Sequence, residues 1–483
     1  MAKRYRRALC WIRRDLRLYD HRPLSEACSE ADEVAIVFVF DTTILNALED
    51  LDDRRVTFMH RSVKELDLNL RSDWGSTLVV LKGNPVDEIP ALAAKLGVEA
   101  VFAGRDWEPM ARRRDDEVAS RLESQGVALN LIKDQVIFEC GDIETQKGAG
   151  FRVYTPYARA WRSKFHLSTD ATDDAPNLSV LMDAASVSEH CHPWTYEDLG
   201  FQEASLDVEA GEAAGRKALD AFAQRMSDYA KCRDFPAIDG TSRLSVHLRF
   251  GTVSIRDCVR RAVELKEAGD KWLSELIWRE FYQEILARYP HVVDEPFQSQ
   301  YRELQYPGLE EHWEAWCEGR TGYPIVDAAM RCFTSTGWMH NRLRMIVASF
   351  LTKDLLIDYR RGEAFFARYL IDYDLASNNG GWQWTAGTGV DAQPYFRVFN
   401  PILQSRKFDP QGIFIRRWIP ELSHLDSEKI HWPHDAKGSL FTANGGYPEP
   451  IVDHAIQRDR AVSLYAEIAK SNQSPEPLEI PDC

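Results

Sequence analysis

The sequence predicts a two-part architecture: an α/β domain built on a doubly wound, five-stranded parallel sheet, followed by an all-α domain, the two joined by a long connector. Three observations predict it. Within the first 135 residues short apolar runs alternate with amphipathic stretches; around 163–207 this pattern dissolves; from 212 onward strand signals largely vanish and helical periodicity dominates to about 470.

The apolar runs are ALCWI (8–12), VAIVFVF (34–40), TLVVL (77–81), EAVFA (99–103) and VALNLI (127–132), with helical patterns such as RRVTFMHRSVKELDLNL between them. Strand and helix in alternation give a parallel sheet covered on both faces. The connector, SKFHLSTDATDDAPNLSVLMDAASVSEHCHPW, is poor in large apolar residues and rich in Asp, Ser and Pro. Its EHCH at 189–192 fits no helical or ribbon metal spacing and reads as surface loop. The helical region is punctuated by GTSRLS, YPGL, GYP and NNGG, and the tail SNQSPEPLEIPDC is polar and Pro-containing. The expected organisation is therefore 1–135 α/β, 136–211 connector, 212–470 helical, and 471–483 a disordered tail.

At 483 residues the chain is long enough for two or three domains with a sizeable core. Its nine Cys include no CxxC pair, which signals neither a disulfide framework nor a zinc ribbon. No signal-peptide core is present and no run approaches the length of a membrane span, so a soluble cytoplasmic protein, without a membrane partner and without a metal, is expected. A net charge of -16 argues against an indiscriminate polyanion binder. Yet residues 341–420 hold eleven Lys/Arg against seven Asp/Glu, a local excess of positive charge. Tryptophan is concentrated in the second half, at 272, 278, 313, 316, 338, 382, 384, 418 and 432.

Several constellations carry chemistry. In KWLSELIWREFYQEIL (271–286) Leu273, Ile277, Phe281 and Ile285 form a core stripe, while Glu275, Trp278, Arg279 and Tyr282 form a second face suited to a planar, hydrogen-bonding ligand or to plain solvation with an ion pair. GTSRLS (240–245) puts two hydroxyls and a guanidinium at the start of a helix, where an anion binds well and where an ordinary cap also sits. WMHNRLRMIVASFL sets Asn341, Arg342 and Met345 on neighbouring turns. In IDYDLASNN, Asp372 and Asp374 have no Lys or Arg within the next seven residues, which points to ligand hydrogen bonding.

Taken in order, WIRRDLRL, GTSRLS, WLSELIWREFY, TGYPIVDAAMR, TGWMHNRLRM and LIDYDLASNNGGWQWTAGTGVDAQPYFRVFNP resemble the DNA photolyase/cryptochrome family, and within it the bacterial class I cyclobutane pyrimidine dimer photolyases. The resemblance covers about residues 5–460. It implies a monomeric flavoenzyme whose helical domain holds FAD and which, on illumination, passes an electron to a pyrimidine dimer flipped out of ultraviolet-damaged DNA. It assigns FAD contacts to Tyr229, Thr241, Ser242, Arg243, Leu244, Ser245, Trp272, Arg279, Arg344, Asp372, Asp374 and Asn378, the last donating its amide towards flavin N5. Dimer contacts fall to Glu275, Trp278, Tyr282, Asn341, Arg342, Met345 and Trp384, with Glu275, Asn341, Met345 and Asn378 the catalytic set. Arg233, Arg397, Gln404, Arg406 and Lys407 fall where DNA phosphates are expected.

Relatives carry electrons to the flavin along three tryptophans; here the inner position is Trp382, but the middle and outer positions are Tyr359 and Tyr306. The expectation is slow photoreduction, or photoreduction rerouted through Trp316 or Trp338, with repair intact. GRDWEPMARRRD (104–115), with Asp106 and Glu108, and FRVYTPYARAW (151–161) resemble segments lining the pocket of a second, antenna chromophore. Met110 and Ala111 replace the Asn-Glu pair of members that bind methenyltetrahydrofolate, and DWEP is closer to 8-hydroxy-5-deazaflavin members; both antennae stay open. Rival readings are a cryptochrome photoreceptor and a DNA-binding flavoprotein without photochemistry. The presence of Asn378 and the short tail favour repair over signalling. A (6-4) photolyase would place histidines near 341 and 345, where Asn and Met stand.

Overall fold

The computed structural model describes residues 3–434 and 446–471; of the expected disordered tail, 471–483, Ser471 ends the last helix and the rest lies outside the described residues. The chain divides into two compact units. The first comprises residues up to 151, 155–227 and 242–287; the second comprises 152–154, 228–241 and the residues from 288 on.

In the first unit the five predicted runs coincide with strands β1 (Tyr5–Ile12), β2 (Ala31–Asp41), β3 (Leu78–Gly83), β4 (Ala100–Gly104) and β5 (Ala128–Ile132). All pair in parallel, in the order β3-β2-β1-β4-β5. Because successive side chains point to opposite faces, β1 divides cleanly. Ala8, Cys10 and Ile12 pack with α1 (Arg22–Glu30) and α2 (Arg54–Trp74) on one side. Leu9 and Trp11 pack with α3 (Pro85–Leu96) and α4 (Pro109–Glu123) on the other. Local chemistry sets the helix limits: Asn84 caps α3 by accepting from Val86 N, Pro85 opens its first turn, and Gly97 closes it at φ 62.

The connector is not a detached linker. Leu181 bridges Val34 of β2, Met182 N donates to Val34 O (2.8 Å), and Trp194 Nε1 donates to Val80 O of the edge strand β3 (2.9 Å). Its few apolar residues, Leu178, Met182, Val187, Leu199 and Phe201, are buried in the two cores of this unit. A low-apolar segment thus covers a sheet edge that would otherwise expose unpaired backbone.

Packing also groups the chain differently from composition. Helix α5 (Tyr154–Lys164), but for its first residue, α6 (Glu212–Ala223), α7 (Ser245–Phe250), α8 (Ile255–Glu264) and residues 267–287 of α9 (Glu267–Arg288) belong to the sheet-bearing unit. Buried charges tie them there. Arg256 of α8 pairs with Asp20 (2.8 Å) and Asp134 (2.9 Å), and Arg17 pairs with Asp134 (2.7 Å), all four side chains at most 2% exposed. Removing one partner of such a network costs about 3–5 kcal/mol, since a charge is left buried without compensation.

The second unit is helical, with α10 (Glu310–Cys317), α11 (Pro324–Thr336), α12 (Asn341–Ser349), α13 (Tyr359–Tyr369), α14 (Leu375–Ala386), α15 (Pro401–Phe408), α16 (Ile413–Trp418) and α17 (His454–Ser471). Its core gathers Trp316, Val326, Phe333, Leu343, Phe350, Phe366, Trp382 and Ile415. The buried Asp327 fixes the approach to α11 by accepting from Thr321 N, Thr321 Oγ1 and Gly322 N.

Candidate functional site

In the first unit the strand order reverses between β1 and β4, and ligands of doubly wound sheets bind beyond the carboxyl ends of such strands. Arg13 and Arg14 follow β1 there, and Asp106 and Glu108 follow β4. Arg14 bonds both acids, Asp106 at 3.2 Å and Glu108 at 2.6 Å, and Arg249 reaches Glu108 at 3.3 Å. Burial raises the Asp106 carboxyl, but Arg14 and Arg13 outweigh it and hold it at about 2. The two antenna-segment acids therefore act as anchors for arginines to which the sequence pattern assigns no role.

On α9 the expected faces both exist. Leu273, Ile277, Phe281 and Ile285 are buried, and Glu275, Trp278, Arg279 and Tyr282 are half-buried together. Trp278 packs on Tyr282 with centroids 5.5 Å apart, Lys271 stands 3.4 Å from Glu275, and Arg279 donates to Gln135 O (2.7 Å). Trp272 is buried against Phe222 (5.0 Å). Between the faces lies Glu280, which no sequence signal singles out. It accepts from Ile137 N (2.6 Å), Phe138 N (3.2 Å) and Trp161 Nε1 (2.6 Å), and burial, only partly offset by these donors, raises its carboxyl to about 7.

The GTSRLS segment begins its helix only at Ser245, and the N-cap is Leu244, fully buried and without a capping side chain. Leu244 can thus offer a ligand only backbone groups. Ser242 Oγ accepts from Leu244 N (3.3 Å), and Arg243 adopts a left-handed φ of 53, a conformation that non-glycine residues hold only where surroundings enforce it.

In the second unit the structure brings four of the expected DNA residues together. Arg342, Arg397, Gln404 and Lys407 line one cavity of about 320 Å³ with Asp234, Phe235, Phe399 and Phe408. Arg342 donates to Asp234 (2.8 Å) and lies over the Phe408 ring (4.3 Å). Arg406 is exposed on α15 but does not line this cavity, and Arg233 lies over Tyr229 (5.3 Å). Asp234 and Phe408 gave no signal in sequence. Asn341 opens α12 exposed, and Met345 is half-buried one turn on. His340 caps that helix, its Nδ1 accepting from Arg342 N (3.1 Å); burial pushes its imidazole down to about 4.

Two expectations require correction. Asp372 is matched after all: Arg344 bonds both its oxygens, at 3.1 and 2.8 Å, reaching across from α12. Asp374 is the N-cap of α14, accepting from Ser377 N (3.0 Å). The second concerns Asn378, expected to donate its amide to a ligand. Its Nδ2 instead donates to Glu363 O (3.1 Å) and Glu363 Oε1 (2.8 Å), so both amide hydrogens are committed and the carbonyl oxygen is what remains. Glu363, on α13, was not legible in sequence.

Along α14 the half-buried Asn378, Gly381 and Trp384 follow one another at three-residue steps, away from the buried Ala376, Asn379 and Gln383, while the buried Trp382 lies one turn beyond Asn378 on the same side. A Cβ added at Gly381 would meet nothing within 4 Å. This open backbone, with the Asn378 carbonyl one turn before it, fits a planar, hydrogen-bonding group such as a flavin. Trp382 touches Trp316 (6.3 Å) and Phe366 (5.0 Å). Among the described residues Tyr359 makes no ring contact with Trp382, and its buried hydroxyl has no hydrogen-bond partner. The Tyr306 hydroxyl is 3.2 Å from that of Tyr465.

A doubly wound sheet unit, a helical unit with a flavin-compatible helix face, and a cation-lined, aromatic-walled recess together define a nucleic-acid-acting flavoprotein. Comparison with known proteins is in keeping with that class. Residues 8–177 match the DNA photolyase model and residues 272–467 the FAD binding domain of DNA photolyase. The deoxyribodipyrimidine photo-lyase of Synechococcus sp. is 39% identical over 97% of this chain and 98% of its own, and that of Escherichia coli 37% over 96% and 99%. A bacterial class III photolyase from Agrobacterium tumefaciens superimposes with a TM-score of 0.83 at 31% identity, covering 97% of this chain and 99% of that one. A photolyase from Sulfolobus tokodaii, described with two FAD molecules, gives 0.80 at 32%, covering 95% and 100%. The chain belongs to the DNA photolyase family and carries its FAD-binding domain. No helix among the described residues is long and apolar enough to cross a membrane.

Proposed function

We propose that this chain repairs cyclobutane pyrimidine dimers in ultraviolet-damaged DNA by light-driven electron transfer, as a monomeric cytoplasmic enzyme. The observation that carries the reading at the site is the Arg342 cavity: an acidic chain concentrates Arg342, Arg397 and Lys407 around one recess walled by Phe235, Phe399 and Phe408. Cations at its rim suit backbone phosphates, and Arg406 and Arg233 extend the same role outward.

Bound FAD supplies, in its reduced and light-excited form, the electron that opens the cyclobutane ring and receives it back afterwards. The protein's part is positioning and charge. On the second unit the Arg344–Asp372 pair and the capping Asp374 hold the cofactor, the Asn378 oxygen accepts from a flavin N–H, and Trp384, Asn341 and Met345 face the dimer. Tyr229 and Thr241 belong to the same set. On the first unit Ser242, Arg243, Leu244 and Ser245 present backbone and hydroxyl groups to the phosphates, Trp272 and Arg279 stay with the cofactor, Trp278 and Tyr282 offer an aromatic wall, and Glu275 hydrogen-bonds a thymine, stabilising charge that develops on it. A second chromophore, of deazaflavin or folate type, falls to the β1/β4 end of the sheet, with Asp106 and Glu108.

The test is direct. Purified protein, reduced and illuminated with near-ultraviolet or blue light, is expected to return thymines from a dimer-containing oligonucleotide. Binding without recovery under light would overturn the repair reading and leave that of a cryptochrome or a passive flavoprotein.

A further inference from the structure

Of the rings the sequence offered as next to Trp382, Tyr359, Trp316 or Trp338, it is Trp316 that packs against it. Trp382 is buried, and its indole neighbour is Trp316, centroids 6.3 Å apart and nearly edge to face. Trp316 is fully buried on α10 and stacks in turn on Trp313, three residues earlier on the same helix, at 5.5 Å and 22°. Trp313 is only half-buried. The three indoles therefore make a continuous file from the core of the second unit to its surface. Tyr359 stands outside the file: it makes no ring contact with Trp382 among the described residues, its hydroxyl is buried with no acceptor, and burial pushes its phenol well above the usual range. A phenol that cannot shed its proton is a poor electron donor.

We infer that electrons enter the flavin site of this protein from solvent through Trp313, Trp316 and Trp382, and that Tyr359 and Tyr306 take no part. The inference rests on the flavoprotein reading above. In balance, Trp382 gives one electron to the light-excited oxidised flavin and is refilled by Trp316, which is refilled by Trp313. The hole left on Trp313 is settled by loss of its indole N–H proton to water, and an external thiol then returns one electron and one proton.

The surroundings give the file a direction. The Trp316 Nε1 donates to Val347 O (3.1 Å), a buried carbonyl that cannot take its proton, so Trp316 passes charge without being trapped. Over the Trp313 face lies the Arg361 guanidinium (4.4 Å), itself held by Glu310 at 2.9 and 2.7 Å. A cation on the ring face opposes a positive radical, so the proton leaves and the charge cannot run back.

The experiment uses the FAD-loaded protein. Flash absorption of oxidised wild type in the presence of a thiol should show a long-lived neutral tryptophanyl radical. Trp316→Phe should abolish it, Trp313→Phe should leave only a short-lived radical that recombines, and Tyr359→Phe should change nothing. Because Trp316 is buried, Trp313→Phe at the half-exposed ring tests the same path should the inner variant fold poorly, and flavin absorbance reports folding for both. Each variant is also reduced chemically and assayed for dimer repair, which should match wild type. Wild-type photoreduction surviving both tryptophan changes, or lost on Tyr359→Phe, would overturn the inference while leaving repair standing. Absence of repair in the chemically reduced wild type would instead sink the functional reading.

Discussion

Asn378 and Glu363 show how a single residue's role depends on a partner that sequence does not display. Asn378 stands in a motif that names it. What it offers a ligand is decided by Glu363, fifteen positions earlier on another helix, whose carboxylate and backbone oxygen absorb both amide hydrogens. Burial raises the Glu363 carboxyl, and the Asn378 donor offsets only part of that. Glu363→Leu should strand one Asn378 hydrogen at a cost of about 1–3 kcal/mol. Thermal unfolding and the flavin absorption band would both report it, and Glu363→Gln, which retains an acceptor, should restore most of the loss. An unshifted band with Leu would show that Asn378 is not held by this contact. The same logic applies to Asp372, which looked unmatched only because its arginine, Arg344, lies 28 residues away.

At the scale of elements, helices α14 and α12 make opposite compromises. Gly380 and Gly381 sit inside α14, where glycine weakens a helix, yet a Cβ at Gly381 meets nothing. Gly381→Ala should therefore stabilise the FAD-free protein by about 0.5–1 kcal/mol while lowering flavin occupancy. Calorimetry and the flavin-to-protein absorbance ratio separate the two effects, and unchanged occupancy would remove Gly381 from the cofactor face. Helix α12 begins at a histidine whose ring accepts a backbone N–H only when neutral. Its pKa falls from the ordinary 6.5 to about 4 in the folded chain, so the cap's stability is complete above pH 6.5 and is lost as pH falls through 4. His340→Asn keeps a capping acceptor that does not titrate. Unfolding midpoints between pH 7 and 4 should then decline less steeply than in wild type, with the remaining slope including buried His247, lowered likewise to about 4.

For the whole molecule, a net charge of -16 and a DNA substrate are reconciled by placement rather than by total. Binding should weaken with salt at a slope of roughly 0.9 per phosphate contact, about 3.6 for Arg233, Arg397, Arg406 and Lys407 together. Arg397→Ala should lower that slope by about one and weaken damaged and undamaged DNA alike, as titrations at several salt concentrations would show; a loss confined to damaged DNA would reassign Arg397 to dimer recognition. The five strands, the helical nature of the second half and the motif residues of α9, α12 and α14 were legible because they are local: a period of two or 3.6, or a run of neighbouring letters. The packing of the connector, the Arg256–Asp20–Asp134 network that draws α8 to the sheet, the Arg14 anchor and the choice of Trp316 over Tyr359 or Trp338 as the ring that joins α10 to α14 were not. They are contacts between residues distant along the chain, and a buried charge or an indole reads the same in sequence whether its partner stands beside it or not. By itself the sequence determined which chemical groups this protein carries and which elements present them. Only the tertiary structure decided which groups are already satisfied by one another, because pairing across helices is set by packing, and that in turn leaves the Asn378 oxygen, the Gly381 backbone and the Arg342 cavity open to a ligand.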